Sequence, residues 1–471
     1  MKLKTRQNLP DYSPVKAPNW GWVHTFVLMQ FSFQILLLFP QFGVLRVPMR
    51  VATFALSLLS LVLFVWIRRL REHGPKHPAI APAIAVLVIM VASLCLHPHL
   101  NTMRAGLAQC GMYAALLAPL FWVRRIRITS TGFQWLIFLM WGFHTVSACF
   151  GVLQIYFPGQ FQPYVSTTIQ NSKYGVSALT IQLANGLLVP RPMGLTDTPG
   201  GAAMAGFYAL LLSVGIALRE RNPILRLVCM GSAAVGLFCI YLSQVRSVLI
   251  FAGICLVCMA VVLVRQGNFG RLTIMTVGVS ALVLVTFTWA VTVGGESTME
   301  RLSSLVSDRA DAVYQQNRGK FLEDTINVLL PKYPLGAGLG RWGMMNAYFG
   351  NNSNPLTESI WVEIQWTGWL LDGGVPLIIA YVAALAQACL TAWKIAISRQ
   401  LDDFKLWGGL IFAYNIGAVA ITFNYPLFIS QSGMEFWLLN SALLVAAHQS
   451  WMERMQALRG MQEPTAFRGE S

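Results

Sequence analysis

LVCMGSAAVGLFCIYLSQVRSVLIFAGICLVCMAVVLV, residues 227–264, is a run of 38 residues with one charge, Arg246, at its midpoint. A bilayer core about 30 Å thick asks for about 20 apolar residues of helix, so this run has the length of two spans joined by a tight turn at SQVRS. The turn sets Arg246 at a membrane face. In the middle of a span the same guanidinium would cost about 2.5 to 3.5 kcal/mol on insertion scales.

The rest of the chain repeats this grammar. Of its 471 residues 55% are hydrophobic and only 11% charged, and its mean hydropathy is +0.57, which excludes a water-soluble globule. Apolar runs separated by short charged connectors cover about Gly21 to Leu38, Met49 to Ile67, Ala79 to Leu96, Ala105 to Val123, Gly132 to Phe157 and Ala202 to Leu218. They continue through the pair just described to Leu272–Val293, and resume over Val375–Trp393, Trp407–Phe423 and Met434–Ala447. Runs this long and unalternating are helices and not barrel strands, so the expected fold is all-α with about 12 transmembrane helices. The basic start before the first run lacks a small-x-small cleavage site and reads as the lead into an uncleaved first helix.

About two thirds of the 34 Lys and Arg fall on one side of this alternation, at both termini and the even connectors. That side is expected to be cytoplasmic. The organisation that follows is 1–293, spans 1–9; 294–372, one long extracytoplasmic loop between helices 9 and 10; 373–450, spans 10–12; and 451–471, a polar cytoplasmic tail. The net charge of +15 is scattered through connectors, not gathered in a patch, so it reports topology and no nucleic-acid partner. All eight cysteines lie in apolar runs, which argues against a disulfide framework or a thiolate metal site, and the Cys255-x-x-Cys258 pair reads as packing residues.

The long loop carries the chemistry-bearing residues. SDRADAVYQQNRGKFLEDTINVLLPKYP, from Ser307, reads as a helix capped by Ser307 or Asp308, with Phe321, Ile326, Leu329 and Leu330 as an apolar stripe and Pro331 at its end. Outside the bilayer such a helix lies along the interface as a lid over the spans. PLGAGLG follows a helix and not a strand, so Gly336, Gly338 and Gly340 serve a tight backbone path beside another helix or a ligand, not a dinucleotide fingerprint. The loop's six basic residues face nine acidic ones, so an anion site has to be built from individual arginines. Arg318 is one; Arg191, before a span in RPMGLTDTPGG, and Arg246 share its side of the membrane. A guanidinium beside apolar sequence calls for an anionic partner and grips phosphate oxygens bidentately; the bland alternative is that these arginines snorkel to lipid headgroups. His97 and His99 form an HxH without a third ligand nearby and read as a turn.

Four segments between Arg191 and Leu377 together resemble the family of O-antigen ligases and O-antigen polymerases. RPMGLTDTPGGAAMAGFYALLL is similar to the family's arginine, glycine and small-residue approach to a span, and LSQVRSVLIFAG to its Ser-Arg hairpin. RGKFLEDTINVLLPKYPLGAGLG resembles its arginine, amphipathic helix and proline-glycine exit, and WLLDGGVPLIIAY its acidic-x-Gly return to the membrane. The resemblance implies an inverting, metal-independent glycosyltransfer at the periplasmic face of the bacterial inner membrane, without a cofactor. The donor would be a glycan on undecaprenyl diphosphate and the acceptor a glycan or lipid hydroxyl. Arg191, Arg246 and Arg318 match the family's arginines and would hold the diphosphate as charge develops on its departure.

Family ligases place a histidine shortly before the acidic-Gly return, and the loop here has none between Gly294 and Asp372. That departure tilts the reading toward a polymerase or a ligase-like homologue. Glu358 or Glu363 is the nearest substitute, a desolvated carboxylate general base being worth about 10² to 10⁴ in rate. Glu358, where the polar run meets apolar IWVEIQW, is the expected base; Glu363, five residues on, would lie on a different helical face. Two other classes fit twelve spans. A secondary transporter would show ionisable residues at mid-membrane, and the predicted spans hold almost no acidic residue. A non-enzymatic scaffold of a polysaccharide assembly complex would tolerate loss of every outer arginine.

Overall fold

In the computed structural model the described residues are 21–36, 39–67, 74–162, 180–196, 200–307 and 318–462. Each apolar run forms a helix: α1 (Trp22–Leu36), α2 (Arg46–Leu61, continued by a π turn over Val62–Ile67), α3 (Ile80–Leu96), α4 (Met103–Leu117) and α5 (Ser130–Tyr156). After a hairpin of β1 (Thr180–Gln182) and β2 (Leu188–Pro190) come α6 (Ala202–Arg219), α7 (Pro223–Ser243), α8 (Arg246–Arg265) and α9 (Phe269–Ser307). The long loop holds α10 (Lys320–Asp324, running on through a π turn to Lys332) and α11 (Gly343–Phe349). The chain closes with α12 (Gln365–Ile397), α13 (Lys405–Ile421) and α14 (Gln431–Gln462). Since 78% is helical, the protein is all-α. Among the described residues nine helices are long and apolar enough to cross a membrane, α1 and α3 being shorter apolar helices of 15 and 17 residues.

The SQVRS turn forms as the sequence requires. Asn222 and Pro223 start α7, Gln244 ends it in the left-handed region at φ 53°, and Arg246 opens α8. The bundle has two ends. At the end opposite the long loop, Gly74 N donates to Arg124 O, and Gln266 Nε2 bridges Ala396 O and Lys405 O. α6 is the central column, with 83% of its apolar window buried, and α9 is an outer wall with 17%.

Helical structure extends into the long loop from both of its ends. α9 does not stop at Val293 but continues to Ser307 through a kink at Gly295 (φ 62°, ψ −155°), and α12 begins at Gln365 and kinks at Gly374 (φ 67°, ψ −157°). Polar composition signals where a helix leaves apolar surroundings, not where its hydrogen bonding ends. Ser307 is the last residue of α9, and the helix start expected there, with Ser307 or Asp308 as its cap, falls on 308–317, outside the described residues. At Gly374 a Cβ would lie 2.2 Å from Pro334 O, so only glycine lets the loop backbone pass.

Candidate functional site

The stretch Pro334–Gly340 is threaded between α12 and the α3–α4 turn. Val375 N donates to Pro334 O (2.9 Å), Ala337 N to Leu371 O (2.8 Å) and Asn101 N to Leu339 O (3.2 Å). The glycines make this possible: Gly338 has φ +98°, and a Cβ there would sit 2.1 Å from His99 O. The expected close backbone path is thus real, and its neighbour is the HxH turn. His97 Nδ1 accepts from His99 N (3.1 Å), and His97 Nε2 meets Gly336 O (3.1 Å). Burial, reinforced by nearby His99 and Arg341 against the pull of Gly336 O, holds His97 below the usual imidazole range. The rest of the loop is tied down by polar side chains. Asn101 Nδ2 donates to Asn351 O (2.9 Å) and Thr357 O (2.6 Å), and Thr102 Oγ1 donates to Phe349 O (2.7 Å).

One carboxylate organises this packing. Asp372 is fully buried and accepts from Tyr113 Oη (2.8 Å) and Gln109 Nε2 (2.9 Å) of α4 and from Trp342 Nε1 (2.8 Å) of the loop. The sequence marks Asp372 by its place in an apolar run; nothing in it names the three donors. Arg341 is also buried, donating from Nη1 to Ala337 O (3.0 Å) and from Nε to Glu358 O (3.1 Å). It is a strut for backbone carbonyls.

The sequence-predicted residues all lie at the loop end of the bundle. The stretch after Arg191 is moored on α5: Gln154 Oε1 accepts from Met193 N (2.7 Å) and Gly194 N (2.9 Å), and Ser147 Oγ from Leu195 N (3.0 Å). Gly200, at the foot of α6, abuts Val245, which adjoins half-buried Arg246. The Arg191 stretch and the Arg246 turn are therefore neighbours. α8 runs antiparallel to α13, Gly409 lying beside Val262 and Gly417 beside Phe251, which sets Arg246 level with the end of α13. There Thr422 O accepts from Gln365 N (3.0 Å) at the start of α12.

Arg318 is ion-paired through Nη1 to Glu363 Oε2, and Glu363 Oε1 also accepts from Trp361 Nε1 (2.8 Å). Glu358, the expected base, is exposed. The fold uses its carbonyl, not its carboxylate, and the desolvation expected there is absent. Nor are Glu358 and Glu363 on different faces of one helix, because helical structure begins only at Gln365. Of the α10 stripe, Ile326 is exposed, and the inward contact is polar instead: Thr325 Oγ1 meets Thr367 Oγ1 at 2.6 Å.

Three residues after Glu363, from Trp366, a groove opens on the outside of the bundle between α8, α12 and α13. Its volume is about 740 Å³, and it runs from Trp366 and Thr422 at the loop end past Trp369, Leu385 and Cys389 to Trp393. Cys258 lines it as a free thiol, and its sequence partner Cys255 is buried, as packing residues would be. Among the described residues no three of His, Cys, Asp and Glu gather as a metal-ligand set. No family model matches the chain and no curated protein matches it. The chain is a polytopic helical membrane protein.

Proposed function

We propose that the protein transfers or polymerises a glycan carried on undecaprenyl diphosphate, as O-antigen ligases and polymerases do. In this reading α1–α9 and α12–α14 are twelve crossings of the bacterial inner membrane, both termini are cytoplasmic, and the long loop lies in the periplasm. The observation that carries the reading is the groove. An apolar trough along the bundle, starting at Trp366, three residues after the Glu363 that pairs with Arg318, has the form that a lipid-linked diphosphate needs, its chain along Trp369 and Leu385 and its phosphates at the loop end. Arg318, with Arg246 and Arg191, would hold the diphosphate bidentately.

The reaction needs little more. An acceptor hydroxyl oxygen attacks the anomeric carbon, the bond from that carbon to the phosphate oxygen breaks, and the diphosphate keeps the electron pair. The hydroxyl proton goes to a carboxylate. Geometry favours Glu363 over Glu358 for that role, since Glu363 already touches Arg318. When phosphate oxygens take over the guanidinium, Glu363 Oε2 is left free as a base next to the reacting sugar, with Oε1 still held by Trp361.

Incubating purified protein with a lipid-linked glycan donor tests this: release of undecaprenyl diphosphate together with a longer or re-anchored glycan supports it. Absence of transfer with every donor, together with unchanged surface glycans after gene deletion, would reject it. The transporter reading gains one observation, because Glu435 and His144 face each other inside the bundle. Uptake of solute into proteoliposomes without glycan transfer would favour that reading.

A further inference from the structure

The glycan-transfer reading leaves unused an ionisable pair in the interior. Glu435, one turn into α14, is 3% exposed, and His144, near the middle of α5, is 8% exposed. Glu435 Oε2 and His144 Nε2 lie 3.9 Å apart, and neither atom has a hydrogen-bond partner. Their walls are aromatic. Tyr208 of α6 stacks on the imidazole at 4.3 Å, and Phe31 and Phe143 meet it edge-on. The other titratable groups facing the pair are Tyr208 itself, a hydrogen-bonding neighbour of the Glu435 carboxyl, and Tyr414 of α13; their hydroxyls are 2.7 Å apart, and Tyr414 Oη donates onward to Ser432 O (3.4 Å). α1 offers only amides, Gln30 and Gln34.

We propose that Glu435 and His144 form a proton-binding site, holding one exchangeable proton between Oε2 and Nε2 and loading it from the loop end of the bundle. The count follows from charge balance. With no proton on the pair, a bare carboxylate stands buried beside a neutral imidazole; with two, an imidazolium stands beside a neutral acid. Either leaves one uncompensated charge among aromatic rings. With one proton the pair is a neutral acid and base or a compensated ion pair, and the proton belongs to the two groups jointly. At 3.9 Å the proton is bonded to one of the two atoms at a time, and a closure of about 1 Å brings the other within hydrogen-bond distance of it.

A chain of polar side chains links the pair to the loop end. Gln34, half-buried on the last turn of α1, donates to Gln431 Oε1, and Gln431 Nε2 donates to Glu435 Oε1 (3.2 Å). Ser147, one turn along α5 from His144, is where the Arg191 stretch is moored, so the site lies directly beneath the loop end. A sodium ion would want five or six oxygens, and this pair offers one free carboxylate oxygen and a nitrogen.

The test is a rapid pH step on the loop side of wild-type protein in liposomes adsorbed to a solid-supported membrane. The expected result is a transient charge displacement that decays to zero, does not change when sodium replaces potassium, and disappears in Glu435→Gln. Gln431→Leu should slow the transient several-fold. A wild-type protein without the transient, a transient that needs sodium, a sustained current, or an unchanged transient in Glu435→Gln would each overturn the proposal. If Glu435→Gln does not fold, an infrared difference spectrum of wild-type protein with ¹³C-glutamate and ¹⁵N-histidine decides. An alkaline step should remove a label-shifted carboxylic-acid or imidazolium band, and the absence of both overturns the assignment.

Discussion

Trp342 donates from Nε1 to Asp372 Oδ1 at 2.8 Å, joining a loop residue to a membrane helix across 30 positions of sequence. The bond is one of three on a carboxylate with no exposure, so Asp372 fixes the loop and α4 to α12 at one point. Asp372→Ala would leave the Trp342, Tyr113 and Gln109 donors buried and unpaired, at a cost of about 3 to 5 kcal/mol. Asp372→Asn keeps the oxygen that serves α4 and turns an amide N–H toward Trp342, at about 1 to 3 kcal/mol. Unfolding midpoints in detergent should follow that order. In the Asp372→Asn background Trp342→Phe should cost less than in wild type, the sign of a direct coupling. Equal costs in both backgrounds would mean that the indole contributes packing alone.

The glycines of the loop separate two kinds of constraint. Gly338→Ala meets both a positive φ and a carbonyl 2.1 Å from the new methyl, whereas Gly343→Ala meets a positive φ with nothing nearer than 4.0 Å. The second should cost about 1 to 2 kcal/mol of backbone strain, and the first clearly more because the α3–α4 turn has to move. Proteolysis of the loop in folded protein should rise for Gly338→Ala and hardly change for Gly343→Ala.

His77, in the connector between α2 and α3, is 3% exposed and lowered by burial to about 4. In the unfolded chain it titrates near its ordinary 6.5. Between those values the unfolded state holds a proton that the folded state does not. Stability is therefore fully present above about 6.5 and falls as pH drops toward 4, by about 3 kcal/mol at the limit. His77 Nδ1 accepts from Ala79 N, and an asparagine oxygen can take that bond. His77→Asn should flatten this part of the profile between pH 7 and 4, measured by thermal unfolding, and His97, lowered in the same direction, adds a residual slope.

Much of this architecture was legible because hydrophobic length is a one-dimensional property. The single charge at Arg246 located the SQVRS turn, and the helices α7 and α8 end and begin there. The glycines of PLGAGLG likewise announced a close approach. What stayed hidden were pairings between distant residues. Asp372 finds two of its donors on α4, 259 and 263 positions away, and Glu435 finds His144 across the bundle. An acid in an apolar run shows that a partner exists without saying which. The ion pair between Arg318 and Glu363 was hidden on the same ground: a step in composition suggested burial at Glu358, which is exposed, and said nothing of which acid meets Arg318.

The two ends of the bundle give the orientation a direct check. Asn352 is exposed at the loop end and Arg221 at the other. A cysteine at 352 should be labelled from outside intact cells by a membrane-impermeant maleimide, and a cysteine at 221 only after the membrane is opened. The reverse pattern would turn the protein over and place the long loop in the cytoplasm.

The ion pair between Arg318 and Glu363 makes the transfer reading most exposed to experiment. If Arg318 exchanges Glu363 for phosphate, Arg318→Lys keeps the charge and loses the fork, so transfer from a purified lipid-linked donor should fall by 10-fold or more, about 1.4 kcal/mol, while the protein still inserts and accumulates. Arg246→Lys should behave alike. Glu363→Gln removes the proton acceptor but leaves the guanidinium free for phosphate, so transfer should fall by about 10² or more while donor binding holds or tightens. Glu358→Gln changes an exposed side chain and should be mild. Full activity in Glu363→Gln with loss in Glu358→Gln would return the base to the position that composition alone suggested, and wild-type transfer by both lysine variants would make the arginines headgroup anchors.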